Sequence, residues 1–185
     1  AGIGYGGSCF PKDTKALHWL SNYYDYEIKT IKAAIEVNSN QKIKLIKKAR
    51  KYYDSFEGLN IAILGLTFKP NTDDLREAPS LDCIPILLED GAHIKAFDPV
   101  GENNYKKIYP TQIEYCKNIE DTLKNADLCM IFTEWKEIKE FDIEKFEKLM
   151  NKAIILDGRN CYSLDEAGKH KLIYNSIGRK EINNL

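Results

Sequence analysis

The chain has 185 residues, 43% hydrophobic and 30% charged, with a formal net charge of -1. That balance fits a globular chain of one domain plus an extra element. It offers no bulk attraction for nucleic acid or an anionic membrane surface, and no apolar run reaches transmembrane length.

The first stretch, Gly2-Ile3-Gly4-Tyr5-Gly6-Gly7-Ser8-Cys9-Phe10-Pro11-Lys12-Asp13, carries four glycines in six residues and then a cysteine. Such a backbone can press closely against a ligand. A helix opening near Pro11 would set the Cys9 sulfur beside a helix N-terminus with Lys12 close by, and both favour thiolate over thiol. Asp13 follows Cys9 by about one helical turn. A thiolate, a cation and a carboxylate beside a pliant loop suit covalent catalysis; the plainer alternative is a glycine-rich surface turn that contains a cysteine. The spacing of Gly2, Gly4 and Gly7 also fits G-x-G-x-x-G, but the dinucleotide fingerprint requires a preceding strand, which Ala1 alone cannot supply.

Residues Asp13 to Tyr24 read as a helix with Ala16, Leu17, Leu20 and Tyr24 on its apolar face, widened by Trp19 and Tyr23. A longer pattern follows: Ile28, Ile31, Ile35, Asn38, Gln41, Leu45, Ala49, Tyr52 and Phe56 keep a 3-4 spacing with no Gly or Pro between them. This predicts one long helix, of about 40 Å at 1.5 Å per residue. Its polar middle, Asn38 and Gln41, either sets register in a packed or dimer-forming helix or faces a cleft. Lys42, Lys44, Lys47, Lys48, Arg50 and Lys51 lie off the stripe as a solvated face. Glu57-Gly58 stops the helix, and a boundary falls there, dividing residues 1–57 from 58–185.

Beyond the boundary the period changes. The runs 60–64, 93–97, 128–132 and 153–156 read as buried strands, with further strands at 113–116 and 172–175. Helices at 79–90, 119–124 and 143–150 alternate with them, and Pro85 is expected to kink the first. Strands alternating with helices imply an α/β fold, a doubly wound, Rossmann-like parallel sheet that takes its ligand at the carboxyl ends of the strands. The connection after the first strand, Leu66 to Ala78, is long enough to suggest a role. Within it Lys69 and Arg76 can serve an anion and Phe68 can stack on a ring; a charged, solvated loop is the alternative.

Five cysteines, an odd number without a C-x-x-C pair, suggest neither disulfides nor zinc and point to a reducing cytoplasm. No basic segment followed by an apolar one marks a leader. His18, His93 and His170 stand near no cysteine that would complete a metal set, so no metal is expected.

Five stretches together carry a resemblance: GYGGSCFPKDTKAL (4–17), GLTFKPNTDDLREAPSL (65–81), AFDP (96–99), TEW (133–135) and DGRN (157–160). In this order and strand context the chain resembles the nucleotide-sugar dehydrogenases, the UDP-glucose/GDP-mannose dehydrogenase family, with wording nearest the members that act on UDP-glucose. The resemblance implies oxidation of a sugar C6 alcohol to a carboxylate by two NAD molecules in turn. Cys9 is then the nucleophile, passing through a thiohemiacetal and a thioester, and Asp13 helps activate the water that releases UDP-glucuronate. Gly4, Tyr5 and Gly6 match the loop around the sugar nucleotide. Phe68 and Lys69 match substrate-binding residues of the second domain, Arg159 matches them more loosely, and Lys12 and Arg76 match residues on the cofactor side.

Since family members carry an NAD-binding domain and catalytic residues upstream, the resemblance implies a C-terminal portion, inactive alone. In it 1–57 is a catalytic-cysteine loop with a helical, dimer-forming linker, and 58–185 is the domain that binds the UDP-sugar. UDP-glucose and a second copy of the chain are the expected partners. The alternatives are a dehydrogenase of GDP-mannose or UDP-N-acetylmannosamine, and a non-catalytic sugar-nucleotide module.

Overall fold

The computed structural model describes residues 2–185. Runs of four or five largely buried residues form the strands β1 (Asn60–Leu64), β2 (His93–Phe97), β4 (Leu128–Ile131), β5 (Ile154–Asp157) and β6 (Ile173–Ser176), although β2 alternates with exposed or half-buried positions. With β3 (Ile113–Tyr115) and β7 (Ile182–Asn183) they build one seven-stranded sheet, ordered β3-β2-β1-β4-β5-β6-β7. Every pairing is parallel except the last, β6 with β7, which is antiparallel. The α/β reading therefore holds, and a short antiparallel edge is added to it.

Alternation along the strands sends side chains to opposite faces. Ile61, Ile63, Ile94, Leu128, Met130, Ile154 and Leu156 face one core, against Cys83, Ile84 and Leu87 of α4 (Pro79–Glu89). Ala62, Leu64, Cys129, Ile131 and Ile155 face the other, against Ile119 and Leu123 of α6 (Ile119–Leu123), Ile138 of α7 (Lys136–Lys139) and Phe146 of α8 (Glu144–Leu149). Burying one such side chain stabilises by about 1.5–3 kcal/mol, so the two layers dominate folding. The helix α4 runs on through Pro85, although a ring there removes one backbone hydrogen bond.

The helical segment departs from expectation in two ways. First, the single long helix is broken. The helix α2 (Lys29–Lys42) ends at Ile43, whose φ of -90° and ψ of 13° leave the helical region, and α3 (Lys44–Ala49) stops short of Phe56. The break lets Leu45, Ile46 and Ala49 turn onto the sheet, where they join Phe56 in the first core. Secondly, α1 (Cys9–Tyr23) begins at the cysteine itself and buries only Pro11 and Ser21. Its predicted apolar face is open: Leu17, Leu20, Trp19, Tyr23 and the following Tyr24 are all exposed. The short helices α5 (Glu102–Lys106), α7 and α9 (Leu164–Ala167), together with β7, were not foreseen from the periodicity. Among the described residues no helix is long and apolar enough to cross a membrane.

One buried carboxylate ties three strand ends together. Asp98, just past β2, accepts on Oδ2 from the Leu66 amide (2.7 Å), the Thr67 amide (3.2 Å) and the Trp135 indole Nε1 (3.1 Å). Its Oδ1 accepts from the amides of Val100 (3.0 Å) and Gly101 (2.6 Å). Thr133 adds a bond across the gap, its hydroxyl donating to the Thr67 carbonyl. Removing an acceptor that serves several buried donors leaves each donor desolvated and unpaired. Asp98→Ala is accordingly expected to lower stability by roughly 3 kcal/mol or more. Asp98→Asn, which offers one acceptor and turns an amide N–H2 on the remaining donors, should fall between the two, as read by urea denaturation.

Candidate active site

In a doubly wound sheet the crevice opens where the strand order reverses, at the carboxyl ends of the strands. Here the reversal lies between β1 and β4, the neighbours in the order β2-β1-β4. Three connections leave the sheet on that edge: residues 65–78 after β1, 132–135 after β4 and 158–160 after β5. The motifs read from the sequence occupy all three.

The glycine segment Gly2 to Ser8 lies against this edge. Ile3 is fully buried in the first core, and at Gly158, just past β5, an added Cβ would lie 2.7 Å from the Ile3 side chain. The Gly7 amide donates to the Arg76 carbonyl at 2.7 Å. A Cβ at Gly6 would lie 2.5 Å from the Glu77 carbonyl oxygen, and one at Gly7 (φ 81°) would lie 2.8 Å from the Phe68 ring. Glycine is thus demanded by contact with the loop that follows β1, and the two sequence motifs meet in a single surface.

A segment without regular structure must send its backbone polar groups elsewhere. Asn38 on α2 accepts from the Tyr5 amide (2.8 Å) and donates to the Tyr5 carbonyl (3.1 Å). Gln41, one turn on, donates to the Gly2 carbonyl (2.8 Å). Register-setting in a packed helix is therefore the wrong reading of these two amides. They face the cleft and hold the loop, because the irregular backbone there has no other partners for those groups.

Arg159 joins the same assembly. Its guanidinium donates from Nε to the Phe132 carbonyl (2.8 Å), from Nη1 to the Gly4 carbonyl (3.3 Å) and from Nη2 to the Phe68 carbonyl (3.2 Å). Glu134 lies 3.3 Å from Nε, and the arginine side chain is only 13% exposed. Burial pulls its pKa down from the ordinary value, with Glu134 opposing. A cavity of about 830 Å³ opens beside it, lined by Gly4, Tyr5, Asn38, Gln41, Glu134 and Arg159 among others.

On the other side of the glycine loop lies a cavity of about 500 Å³, lined by Gly7, Ser8, Pro11, Lys12, Lys15 and Arg76 with Glu77. Cys9 is exposed at the first turn of α1, 3.8 Å from the Ser8 hydroxyl. Asp13 and Lys12 pair at 3.4 Å, both largely in solvent. Arg76 bonds Asp74 through Nε (3.0 Å) and Nη2 (2.7 Å), and Asp74 raises its pKa, with the Cys9 sulfur a smaller contributor. The Lys69 ammonium sits 5.2 Å from the centroid of the Phe68 ring, at the open side of the β1 loop.

The structure therefore brings together Gly4, Tyr5, Gly6, Phe68, Arg76 and Arg159, with Cys9, Lys12 and Asp13 on the helix that continues the glycine loop. Asn38, Gln41, Glu77 and Asp98 complete the assembly without having been picked as site residues. Two amides in the middle of an apolar stripe were the available signal for the first pair. Nothing in the spacing singled out the others. Among the described residues no three or more His, Cys, Asp or Glu side chains gather to hold a metal ion.

The model of the UDP binding domain of the UDP-glucose/GDP-mannose dehydrogenase family matches residues 62–164, and that of the family's central domain matches residues 1–40. The UDP-glucose 6-dehydrogenase YwqF of Bacillus subtilis is 45% identical over 98% of this chain, and TuaD of the same organism, also a UDP-glucose 6-dehydrogenase, is 43% identical over 98%. The chain spans about two fifths of their length, 41% and 40%. Among solved structures, a UDP-glucose dehydrogenase from Pyrobaculum islandicum superposes with a TM-score of 0.81 at 28% identity, covering 95% of this chain and 38% of that one.

The four remaining cysteines are poor competitors for an alkylating reagent. Burial pushes the Cys83 thiol up to about 12 and raises Cys116, Cys129 and Cys161 as well. Iodoacetamide at pH 8 is expected to label Cys9 at least about tenfold faster than any other, since thiolate fraction and access set the rate. Peptide mass mapping of a time course checks this; equal labelling of all five refutes it.

Proposed function

We propose a function from one premise: the chain belongs to the UDP-glucose/GDP-mannose dehydrogenase family. On this reading it carries the nucleophile and the nucleotide grip of a dehydrogenase that oxidises UDP-glucose to UDP-glucuronate. The observation that supports it is the meeting of the two motifs, with the Gly7 amide on the Arg76 carbonyl and Gly6 and Gly7 pressed on Glu77 and Phe68. UDP-glucose is preferred among sugar nucleotides because the relatives 45% and 43% identical are UDP-glucose 6-dehydrogenases.

Residues 1–57 then deliver Cys9, and residues 58–185 hold the UDP-sugar. Phe68 offers a ring face and Lys69 an exposed ammonium to the uridine or diphosphate, while Gly4, Tyr5 and Gly6 wrap the sugar. Arg159 serves this site by holding Gly4 and Phe68 in place through their carbonyls. The Cys9 thiolate adds to the C6 aldehyde, giving a thiohemiacetal whose oxidation leaves a thioester. Asp13, one helical turn along, takes the proton from the water that attacks the thioester carbonyl, which frees the carboxylate and returns the thiolate. NAD, when bound, accepts two electrons and a proton as hydride in each oxidation. The hollow beside Lys12, Lys15 and Arg76 fits an anionic cofactor edge, and Lys12 and Arg76 would line it.

The open face of α1 is the natural seat of a second copy. Trp19 and Tyr23 stack at 5.4 Å while 65% and 67% exposed, and Leu17, Leu20 and Tyr24 continue the patch. Large rings side by side in water mark an interface rather than a finished surface. On this reading the homodimer forms through α1 and its neighbour α2 rather than along the one long helix expected from the sequence, which is broken at Ile43.

Two measurements test this reading. Calorimetry with UDP should give saturable binding at or below about 1 mM, weakened about tenfold or more by Lys69→Ala, the loss of one charge-assisted contact. No heat up to that concentration refutes the nucleotide site, and tighter binding of GDP-mannose would reassign the sugar. Sedimentation should show a dimer that Trp19→Glu converts to monomer with unchanged circular dichroism; a monomeric parent chain refutes the dimer.

A further inference from the structure

Glu77 stands where four parts of the molecule meet. It ends the loop after β1 in a left-handed backbone conformation (φ 56°), which a residue with a side chain holds only where its surroundings over-determine it. Its carbonyl abuts Gly6 of the glycine loop. Its carboxylate divides between two lysines: Oε1 accepts from Lys15 Nζ on α1 at 2.8 Å, and Oε2 accepts from Lys42 Nζ at the end of α2. Lys42, expected on a solvated face, is instead buried, and Asp82 of α4 stands 3.5 Å from the same ammonium.

The two arms are unequal. A buried cation deprived of its nearest anion is costly, so Lys42 fastens Glu77 to the body of the protein. Lys15 is 58% exposed and its pairing is correspondingly soft. Yet α1 has few other holds, because it buries only Pro11 and Ser21 and leaves its apolar face in solvent. Among the described residues the side-chain bond that ties α1 itself to the β1 loop is the Lys15–Glu77 pair, while α1 rests otherwise on α2 and the glycine segment before it is held by the Gly7–Arg76 backbone bond and by packing on Glu77 and Phe68.

We propose that Glu77 is a positioning residue that sets the cysteine helix against the nucleotide loop, held by Lys42 and acting through Lys15. It touches neither the sulfur nor the substrate. The charge held low in pKa by Lys15 and then Lys42 keeps both bridges ionic at neutral pH. The proposal rests on Cys9 as the reactive residue, but its test reads the placement of α1 and so fails separately from that reading.

Hydrogen–deuterium exchange by mass spectrometry, with Cys9 alkylation on the same samples, compares the parent chain with Lys15→Met, Glu77→Gln and the double variant. Lys15→Met should raise exchange in α1 about twofold to fivefold, the range of an exposed ion pair, and Glu77→Gln, which also deprives buried Lys42 of its partner, at least as much. Peptides of β1 and β4 should stay as protected in Lys15→Met as in the parent. The double variant should exceed Glu77→Gln by nothing measurable, and Lys15→Arg, which keeps the charge, should restore parental exchange. Unchanged α1 exchange in Lys15→Met, or single effects that add in the double variant, overturns the proposal. Lys15→Met decides the matter even if Glu77→Gln folds poorly.

Discussion

The backbone hydrogen bond from the Gly7 amide to the Arg76 carbonyl joins two segments almost seventy positions apart in sequence, and the rest of the site is arranged around it. Neither segment has secondary structure of its own to satisfy its polar groups, so each borrows partners from the other and from the elements behind. The glycine segment is held at Gly2 by Gln41, at Gly4 by Arg159, at Tyr5 by Asn38 and at Gly7 by Arg76. These donors and acceptors come from α2, the turn after β5 and the loop after β1. A conformation fixed from three directions has little freedom left, and it fixes where α1, and Cys9 at its start, begin.

Charge is used in the same manner. Asp98 and Arg159 are both largely withdrawn from water, and both spend most of their hydrogen bonds on main-chain groups near strand ends. A buried ion is tolerable when every lone pair or proton has a partner. The result is that the start of the β1 loop, from Leu66 through Phe68, is pinned by groups just past β2, β4 and β5, while the Lys69 side chain stays open to solvent. The loop is thus rigid beneath and accessible above.

How much of this was legible in the sequence follows the strength of local signals. The five inner strands were readable because short, largely apolar runs bounded by turn formers have few other solutions, and their parallel pairing followed from the alternation with helices. The cysteine motif and the β1 loop stood out by composition. The broken helix was not readable, because the stripe Leu45, Ala49, Phe56 continues the period of Ile31 and Ile35 while belonging to a different partner, the sheet. Periodicity says that a face is apolar and not what covers it; α1 makes the same point, since its face is covered by nothing among the described residues. Asn38 and Gln41 showed as an anomaly whose meaning depended on a loop more than thirty residues earlier. Glu77 and Asp98 lay inside the motif stretches 65–81 and 96–99, but their roles were not readable, since these lie wholly in distant contacts. The short helices and the two-residue β7 are too brief for any pattern to emerge.

The chain holds two tryptophans, and the fold puts them in opposite circumstances. Trp135 is 5% exposed, its indole bonded to the carboxylate that pins the β1 loop, whereas Trp19 is 65% exposed and stacked on a tyrosine at the surface of α1. The molecule consequently carries two built-in fluorophores that report on different events. Emission from the indole in the interior follows the integrity of the strand-end scaffold, and emission from the one in solvent follows whatever comes to rest on the helix, so a spectrum can be separated into the two without adding a label.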